Sequence, residues 1–156
     1  MSRWLLLPAG LQMLAMFVDE FVFHRARGLP RWERIGHPLD TLSAALCYGW
    51  LVLVPPSAPH ALGVYVGLCA FSCLFITKDE FVHVRLCQPL EAWLHALLFV
   101  LHPLVFLAFG LIWASGESAW LLPTELLLTV GFGAYQLSYW TWWRSRWSKD
   151  LRKSPA

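Results

Sequence analysis

Apolar residues are gathered into five long stretches, and polar or proline-rich segments separate these stretches from one another. They cover residues 4–23, 38–54, 61–77, 90–113 and 124–143. An α-helix needs about 20 residues to cross the hydrocarbon core of a bilayer, so the pattern predicts five membrane-spanning helices. The second and third stretches are short, and we expect their helices to extend into the polar flanks.

The composition agrees with this pattern. Hydrophobic residues make up 58% of the chain and charged residues 14%, whereas a soluble domain is about 25% charged. We therefore expect an all-α, polytopic membrane protein that forms a single domain over residues 1–156. Its surroundings are membrane lipids, and we expect no nucleic-acid partner.

Basic residues indicate how the five helices are oriented. Apart from Arg3, every Lys and Arg falls on one face of this topology: Arg25, Arg27, Arg31 and Arg34 in the first loop, Lys78 and Arg85 in the third, and Arg144, Arg146, Lys149, Arg152 and Lys153 in the tail. The positive-inside rule places that face in the cytoplasm. We expect a protein of a bacterial-type plasma membrane, with its N-terminus outside and its C-terminus in the cytoplasm. An inner aromatic belt would then contain Trp140, Trp142, Trp143 and Trp147.

A short acidic motif occurs twice in the chain. Asp19-Glu20-Phe21-Val22 ends the first stretch, and Asp79-Glu80-Phe81-Val82 follows the third. A histidine comes after each copy, and the next stretches begin with Pro38-Leu39-Asp40 and Pro89-Leu90-Glu91. The match predicts two tandem helical hairpins, over residues 4–54 and 61–113, which form a four-helix bundle accompanied by a fifth helix over 124–143.

The repeat brings acids and histidines to one place. Both hairpins run in the same direction, so their four acid-bearing ends meet at one depth, on the cytoplasmic side. Residues three or four apart share one face of a helix. Pairs with these spacings are Glu20 and His24, His37 and Asp40, Glu80 and His83, and Glu91 and His95.

Such a cluster of carboxylates needs positive charge. Acids near lipid are costly, and like charges placed together repel, so two divalent cations would remove both costs. Mixed carboxylate and imidazole ligands suit iron, manganese or zinc, and we expect two divalent ions, with iron favoured. The predicted ligands are Glu20, His24, Asp40, Glu80, His83, Glu91 and His95. Further ligands, or groups that orient the imidazoles, are Asp19, His37 and Asp79.

This layout resembles the carboxylate-bridged di-iron centres of ferritin-like four-helix bundle proteins, in which Glu and Glu-x-x-His groups point inward. Glu80-x-x-His83 matches that motif, and the Glu20–His24 and Glu91–His95 pairs depart from it by one residue. The resemblance covers the layout of the site and not the sequence. It implies an oxidoreductase that activates oxygen or peroxide, with a lipid-phase molecule as its substrate.

Other functions fit the same residues. A zinc-dependent membrane hydrolase of lipid amides or esters would use a metal-bound water whose pKa falls to about 7. A metal-ion transport, storage or sensing protein would need no catalysis. The acids could also mark helix ends and form salt bridges with Arg25, Arg27 or Arg85.

The remaining polar candidates are expected to be structural. His102 lies two helical turns beyond His95 on the same face, and we expect a hydrogen-bonded core residue, with a proton relay or the wall of a substrate pocket as the alternatives. We expect the cysteines to be small buried residues, and Cys87 lies near the predicted site. We expect close packing at Gly131-Phe132-Gly133 in the fifth helix and no chemistry on that helix.

Overall fold

The computed structural model describes residues 3–143, and these residues are helical apart from the turns, with no β-strand among them. The five helices are α1 (Trp4–Arg27), α2 (Arg31–Leu53), α3 (Ala61–Leu86), α4 (Pro89–Ser115) and α5 (Leu121–Leu137), and the π-helical turn Ser138–Trp143 extends α5. The predicted basic tail (Arg144, Arg146, Lys149, Arg152 and Lys153), Trp147, and the side chains of Arg3 and Trp143 lie outside what the structure describes.

Three of the helices, α1, α3 and α4, are long and apolar enough to cross a membrane. Helix α2 is long but begins with Arg31, Glu33 and Arg34, which lower its hydropathy. The sequence prediction of an all-helical protein with five helices is therefore confirmed, and membrane-crossing length and hydropathy are found for three of them.

The main difference from the sequence prediction is the start of α2. The apolar stretch opens at Pro38, and we expect its helix to extend some way into the polar flank, with Arg25, Arg27, Arg31 and Arg34 in the first loop. The structure begins α2 at Arg31, after a turn in which Gly28 has a φ of 76° and Pro30 caps the helix. Pro38 lies inside the helix, and His37 is therefore a helical residue rather than part of a turn.

The helices pack in a specific order. Helix α2 packs most closely against α5, α1 packs against α4, and α3 lies against α2 and α4. A Cβ atom on Gly133 would lie 3.1 Å from Thr41 Cγ2, so the predicted close packing of α5 occurs at this glycine. Thr41 Oγ1 also donates a 2.7 Å hydrogen bond to Gln136 Oε1 across the same interface.

The hydrophobic core occupies one half of the molecule. Its largest buried side chains are Tyr48, Tyr65, Phe106, Phe109, Ile112 and Trp113, from the C-terminal half of α2, the N-terminal half of α3 and the C-terminal half of α4. The other half, where α1 ends and α4 begins, buries acids and histidines instead. Burial of that many polar groups requires hydrogen bonds, ion pairs or a metal.

Candidate metal centre

The end of α1 contributes three buried polar side chains. Asp19, Glu20 and His24 lie in a π-helical turn. In a π-turn, residues five apart come onto one face, so His24 reaches both acids: its Nε2 lies 3.2 Å from Asp19 Oδ2, and its Nδ1 lies 3.4 Å from Glu20 Oε2. The wider turn is the reason that both members of this acidic pair are buried.

Helix α2 contributes Glu33 and His37, which are four residues apart. The Glu33 side chain is fully buried, with 0% of its surface exposed. The His37 ring centroid lies 4.7 Å from that of His24 and 6.4 Å from that of His83. Glu33 is the one buried acid of the cluster that the sequence prediction missed, although its spacing to His37 repeats the spacing of Glu20 and His24.

Helices α3 and α4 complete the cluster. Glu91 and His95, in the first two turns of α4, are buried, and so is His83 of α3. His95 Nε2 lies 3.0 Å from Asp19 Oδ1, and the rings of His83 and His95 are 4.2 Å apart. The ring of His95 lies 6.2 Å from that of His24, so the four imidazoles form a closed quadrilateral.

These side chains fall into groups that could hold metal ions. Asp19, His24, Glu91 and His95 offer ligand atoms within 4.8 Å of one another, and so do Glu33, His37 and His83. The two groups share no residue. A third group, Glu20, His24 and His37, joins the first two, and His83, Cys87 and His95 form a fourth.

Several atoms of the cluster are buried without a hydrogen-bond partner among the described residues. They are His24 Nε2, Glu33 Oε1, Asp79 Oδ1, His83 Nδ1 and Nε2, and His95 Nδ1. Buried polar atoms are normally hydrogen-bonded, and each exception needs an explanation. Imidazole nitrogens and carboxylate oxygens are also the ligands of iron, zinc and manganese, so the buried donor set fits a metal centre.

One guanidinium, that of Arg27, lies against this cluster and links the two separate groups. Its Nη1 lies 2.8 Å from Glu33 Oε2, and its Nη2 lies 2.9 Å from Glu91 Oε1. The expected alternative of a salt bridge between arginine and the acids is therefore found for Arg27. A single guanidinium offsets one negative charge, whereas Asp19, Glu20, Glu33 and Glu91 are four carboxylates.

Helix α5 also contributes to the site, where the sequence predicted no chemistry. Trp140 Nε1 donates a 2.7 Å hydrogen bond to Glu20 Oε1, and the Tyr135 hydroxyl donates a 3.3 Å bond to the same oxygen. Trp140 is fully buried. This tryptophan therefore helps to fix a carboxylate of the cluster.

The predicted ligands Asp40 and Glu80 and the further candidate Asp79 lie beside the cluster, and none of them belongs to the four ligand groups. Lys78 Nζ bonds Asp40 Oδ1 at 2.6 Å and Asp79 Oδ2 at 2.8 Å, which neutralises part of this acidic pair. The Glu80 side chain is half exposed, and its Oε2 lies 4.0 Å from His83 Nδ1. Asp79 ends a 3-10 turn of α3 and Glu80 begins the α-helical turn that follows, so the two side chains point roughly 100–120° apart, and only Asp79 is buried.

A glycine allows α2 and α3 to approach each other at this ion pair. A Cβ atom on Gly36 would lie 3.0 Å from both carboxylate oxygens of Asp79 and 3.2 Å from Lys78 Nζ. We expect Gly36→Ala to leave the purified protein about 1–3 kcal/mol less stable than a Gly→Ala change at an open position of the same helix, because the added methyl presses on the Asp79 carboxylate and the Lys78 ammonium. Thermal unfolding in detergent measures this change.

Gly49 provides the matched control, since a Cβ atom there meets nothing within 4 Å in the same helix. Gly49→Ala should leave stability unchanged or raise it by up to about 1 kcal/mol through helix propensity. Equal effects of the two substitutions would contradict a close contact at Gly36.

Burial changes the pKa of the groups in the polar turns. It raises the pKa of Glu33, and the Arg27 guanidinium opposes this rise. Burial, together with the imidazoles of His24 and His83, holds the pKa of His37 well below its ordinary value. Burial and the nearby Glu91 raise the pKa of the Cys87 thiol to about 12. His37 is therefore neutral at pH 7, as metal ligation requires.

A cavity of about 730 Å³ extends from the cluster into the bundle. Asp19, Glu20, His37, His83 and His95 line one end of it. The rest of its wall is mainly apolar and comes from α1, α2, α4 and α5. Its volume lies in the range of small-molecule sites, which is about 300–1,000 Å³.

A chain of hydrogen bonds crosses the bundle beside this cavity. Gln12 Nε2 lies 3.3 Å from His102 Nδ1, His102 Nε2 lies 3.0 Å from Ser72 Oγ, and Ser72 Oγ lies 2.8 Å from Ser43 Oγ. His102 thus has a partner on both ring nitrogens, in agreement with the expected structural role. The chain ties α1, α4, α3 and α2 together.

Models of protein families, curated protein sequences and solved structures were compared with this chain, and none of them matches. The function must therefore be argued from the geometry and chemistry of the site.

Proposed function

We propose that the cluster is a two-metal centre and that the protein is a di-iron oxidoreductase of the membrane. The observation that supports this most directly is that two of the four candidate ligand groups share no residue. One metal would be held by Asp19, His24, Glu91 and His95, and the other by Glu33, His37 and His83. Glu20 lies beside His24 and His37, between the two groups.

This assignment revises the predicted ligand set. His24, His83, Glu91 and His95 remain, the candidates Asp19 and His37 become ligands, and Glu20 is kept only as a neighbour of both groups. Glu33 takes the place of Asp40, because Asp40 is ion-paired with Lys78. Glu80 is left out because half of its side-chain surface is exposed.

The ligand set also supports a repeat of two hairpins around the centre. Glu33 and Glu91 are each the third residue of their helix, and His37 and His95 are each the seventh. We propose that α1–α2 and α3–α4 form the tandem hairpins of a four-helix bundle, in this register rather than the one that pairs Asp40 with Glu91. With the basic loops on the cytoplasmic side, the centre would lie near the cytoplasmic surface.

The donor set favours iron. Each group contains two imidazoles and at least one carboxylate, and two histidines with one carboxylate and open positions are typical of non-haem iron oxygenases. When bound, a pair of such irons would supply the electrons that activate oxygen or peroxide. The chain would bind and orient the ions, and Trp140 and Tyr135 would fix the carboxylate between them.

Charge supports the same conclusion. The four buried carboxylates of the centre repel one another, and Arg27 offsets part of this repulsion. Two divalent ions would supply four positive charges to the same acids. The surrounding burial strengthens each of these attractions, because the effective dielectric is lower than in water.

The test begins with the metal content of the protein purified in detergent without chelators. We expect two irons per chain and oxygen consumption when the reduced, iron-loaded protein is exposed to air. Apoprotein prepared with a chelator should consume no oxygen above background. Stoichiometric iron without any oxygen or peroxide reaction would contradict the oxidoreductase, and absence of stoichiometric metal after reconstitution would contradict the centre.

A zinc-dependent hydrolase is the second candidate, because Glu33, His37 and His83 are also the two-histidine, one-glutamate set of catalytic zinc sites. Zinc in place of iron in the purified protein, together with hydrolysis of a lipid ester or amide, would favour this function. Iron-dependent oxygen consumption would argue against it.

A further inference from the structure

The cavity beside the centre is elongated and reaches well beyond it. Along α1 its wall runs from Leu6 to Phe21, a distance of about 20 Å at the rise of a helix. One leaflet of a bilayer contributes about 15 Å to the hydrocarbon core. The cavity is therefore long enough to hold an extended hydrocarbon chain of a membrane lipid.

The mouth of the cavity lies between α1 and α5. Met13 and Phe17 of α1 and Leu127 and Leu128 of α5 line the cavity and are also more than half exposed. The main contacts of these two helices are with other partners, α1 with α4 and α5 with α2. The ring of Phe21 stacks on that of Tyr135 at 5.4 Å and closes the end next to the centre. An apolar chain could thus enter laterally between α1 and α5, from the lipid phase that would surround the helices.

The side-chain oxygen of Gln12 could accept a hydrogen bond from a molecule bound in the cavity. The Gln12 side chain lines the cavity, and its Oε1 is buried without a hydrogen-bond partner among the described residues. Its amide nitrogen is occupied by His102 Nδ1. Gln12 precedes Asp19 by seven residues, about 10 Å along the helix. A hydroxyl or N–H group at this distance from the centre would satisfy that oxygen.

We propose that the cavity binds a single long-chain amphiphile with a hydrogen-bond donor, which enters between α1 and α5 and places one part of its chain at the metals. The inference rests on the proposed function, because it names the molecule on which the centre would act. A fatty alcohol or amide and an isoprenoid alcohol share this chemistry.

The test uses hexadecanol that carries a photoreactive diazirine in mid-chain, added to metal-free protein in detergent. We expect crosslinks on cavity residues of α1 and α5, identified by mass spectrometry, and their loss on competition. Competition by unlabelled hexadecanol would indicate an acyl-type chain, and competition by farnesol an isoprenoid. Displacement by neither would overturn the proposal.

Two glycines allow the mouth to be blocked. Gly10 and Gly131 line the cavity, and a Cβ atom on either would meet nothing within 4 Å. Gly10→Phe and Gly131→Phe should each weaken labelling at the cavity by at least roughly tenfold, because the ring occupies the entrance. Gly63→Phe is the matched control, since Gly63 of α3 has the same free space and does not line the cavity.

The metal content of the same variants separates this inference from the proposed function. If the blocked variants keep their metal and label as the wild type does, the chain site is wrong and the centre stands. If cavity labelling is specific but the wild type binds no metal, the chain site stands and the proposed function falls. Gln12→Leu should also remove any preference for hexadecanol over hexadecane, and an unchanged preference would exclude Gln12 as the acceptor.

Discussion

Replacing His95 by alanine is expected to reduce the protein from two bound metals per chain to one, and His83→Ala should do the same at the other group. His95 belongs with Asp19, His24 and Glu91, whereas His83 belongs with Glu33 and His37. Loss of an imidazole ligand should cost more than the 10–100-fold in affinity that is typical of an outer-shell partner. Elemental analysis after dialysis measures the metal that remains.

The double variant, His83→Ala with His95→Ala, should bind no stoichiometric metal. His60→Ala is the matched histidine control, because His60 lies at the start of α3, at the opposite end of that helix from His83. Glu80→Ala is the matched acid control, since Glu80 is adjacent to buried Asp79 but half exposed. If both single histidine variants keep two metals, the centre is wrongly placed. If Glu80→Ala loses metal, the ligand set predicted from the sequence, which includes Glu80, is the better one.

The general location of the cluster could be predicted from the sequence. The motif that begins at Asp19 and recurs at Asp79, with a histidine after each copy, identified two of the helix segments that meet at the cluster. The structure confirms that α1, α2, α3 and α4 bring buried acids and histidines together. Spacings of three and four residues carry this information because they are set by the helix itself.

Glu33 was missed for a local reason. The arginines around Glu33 were assigned to a loop that indicates topology, so Glu33 was placed in that loop although the helix was expected to extend beyond Pro38. The Gly28 turn and the cap at Pro30 allow the helix to begin earlier. The repeated Glu-x-x-x-His spacing at Glu33 and Glu91 was the available signal.

Whether Asp40, Glu80 and Trp140 contribute to the cluster could not be predicted from the sequence. They depend on contacts between helices: Asp40 with Lys78 of α3, and Trp140 of α5 with Glu20 of α1. Glu20 and Glu80 occupy matching positions in the motif, yet only Glu20 lies in a π-helical turn and is buried. Such a turn inserts one residue into the helical register, and tertiary packing decides where this occurs.

Replacing Arg27 by methionine is expected to lower the stability of the metal-free protein and to raise its affinity for metal. In the metal-free protein the guanidinium pairs with Glu33 and Glu91, one acid from each proposed group. Removing one partner from buried ion pairs costs about 3–5 kcal/mol, and we expect the lower value because the Arg27 side chain keeps 19% of its exposure. For a chain of this size, about 3 kcal/mol lowers Tm by roughly 6–12 °C.

Metal binding should offset most of this loss. Arg27 repels a cation in either group and occupies two of the carboxylates, so its removal should raise metal affinity by at least about tenfold. A ligand that binds only the folded state raises its stability, and metal should therefore raise the Tm of Arg27→Met more than that of the wild type. Arg85→Met is the matched control, since Arg85 is exposed on α3 and should change neither quantity. Weaker metal binding by Arg27→Met would mean that the guanidinium orients the acids for the metal rather than competing with it.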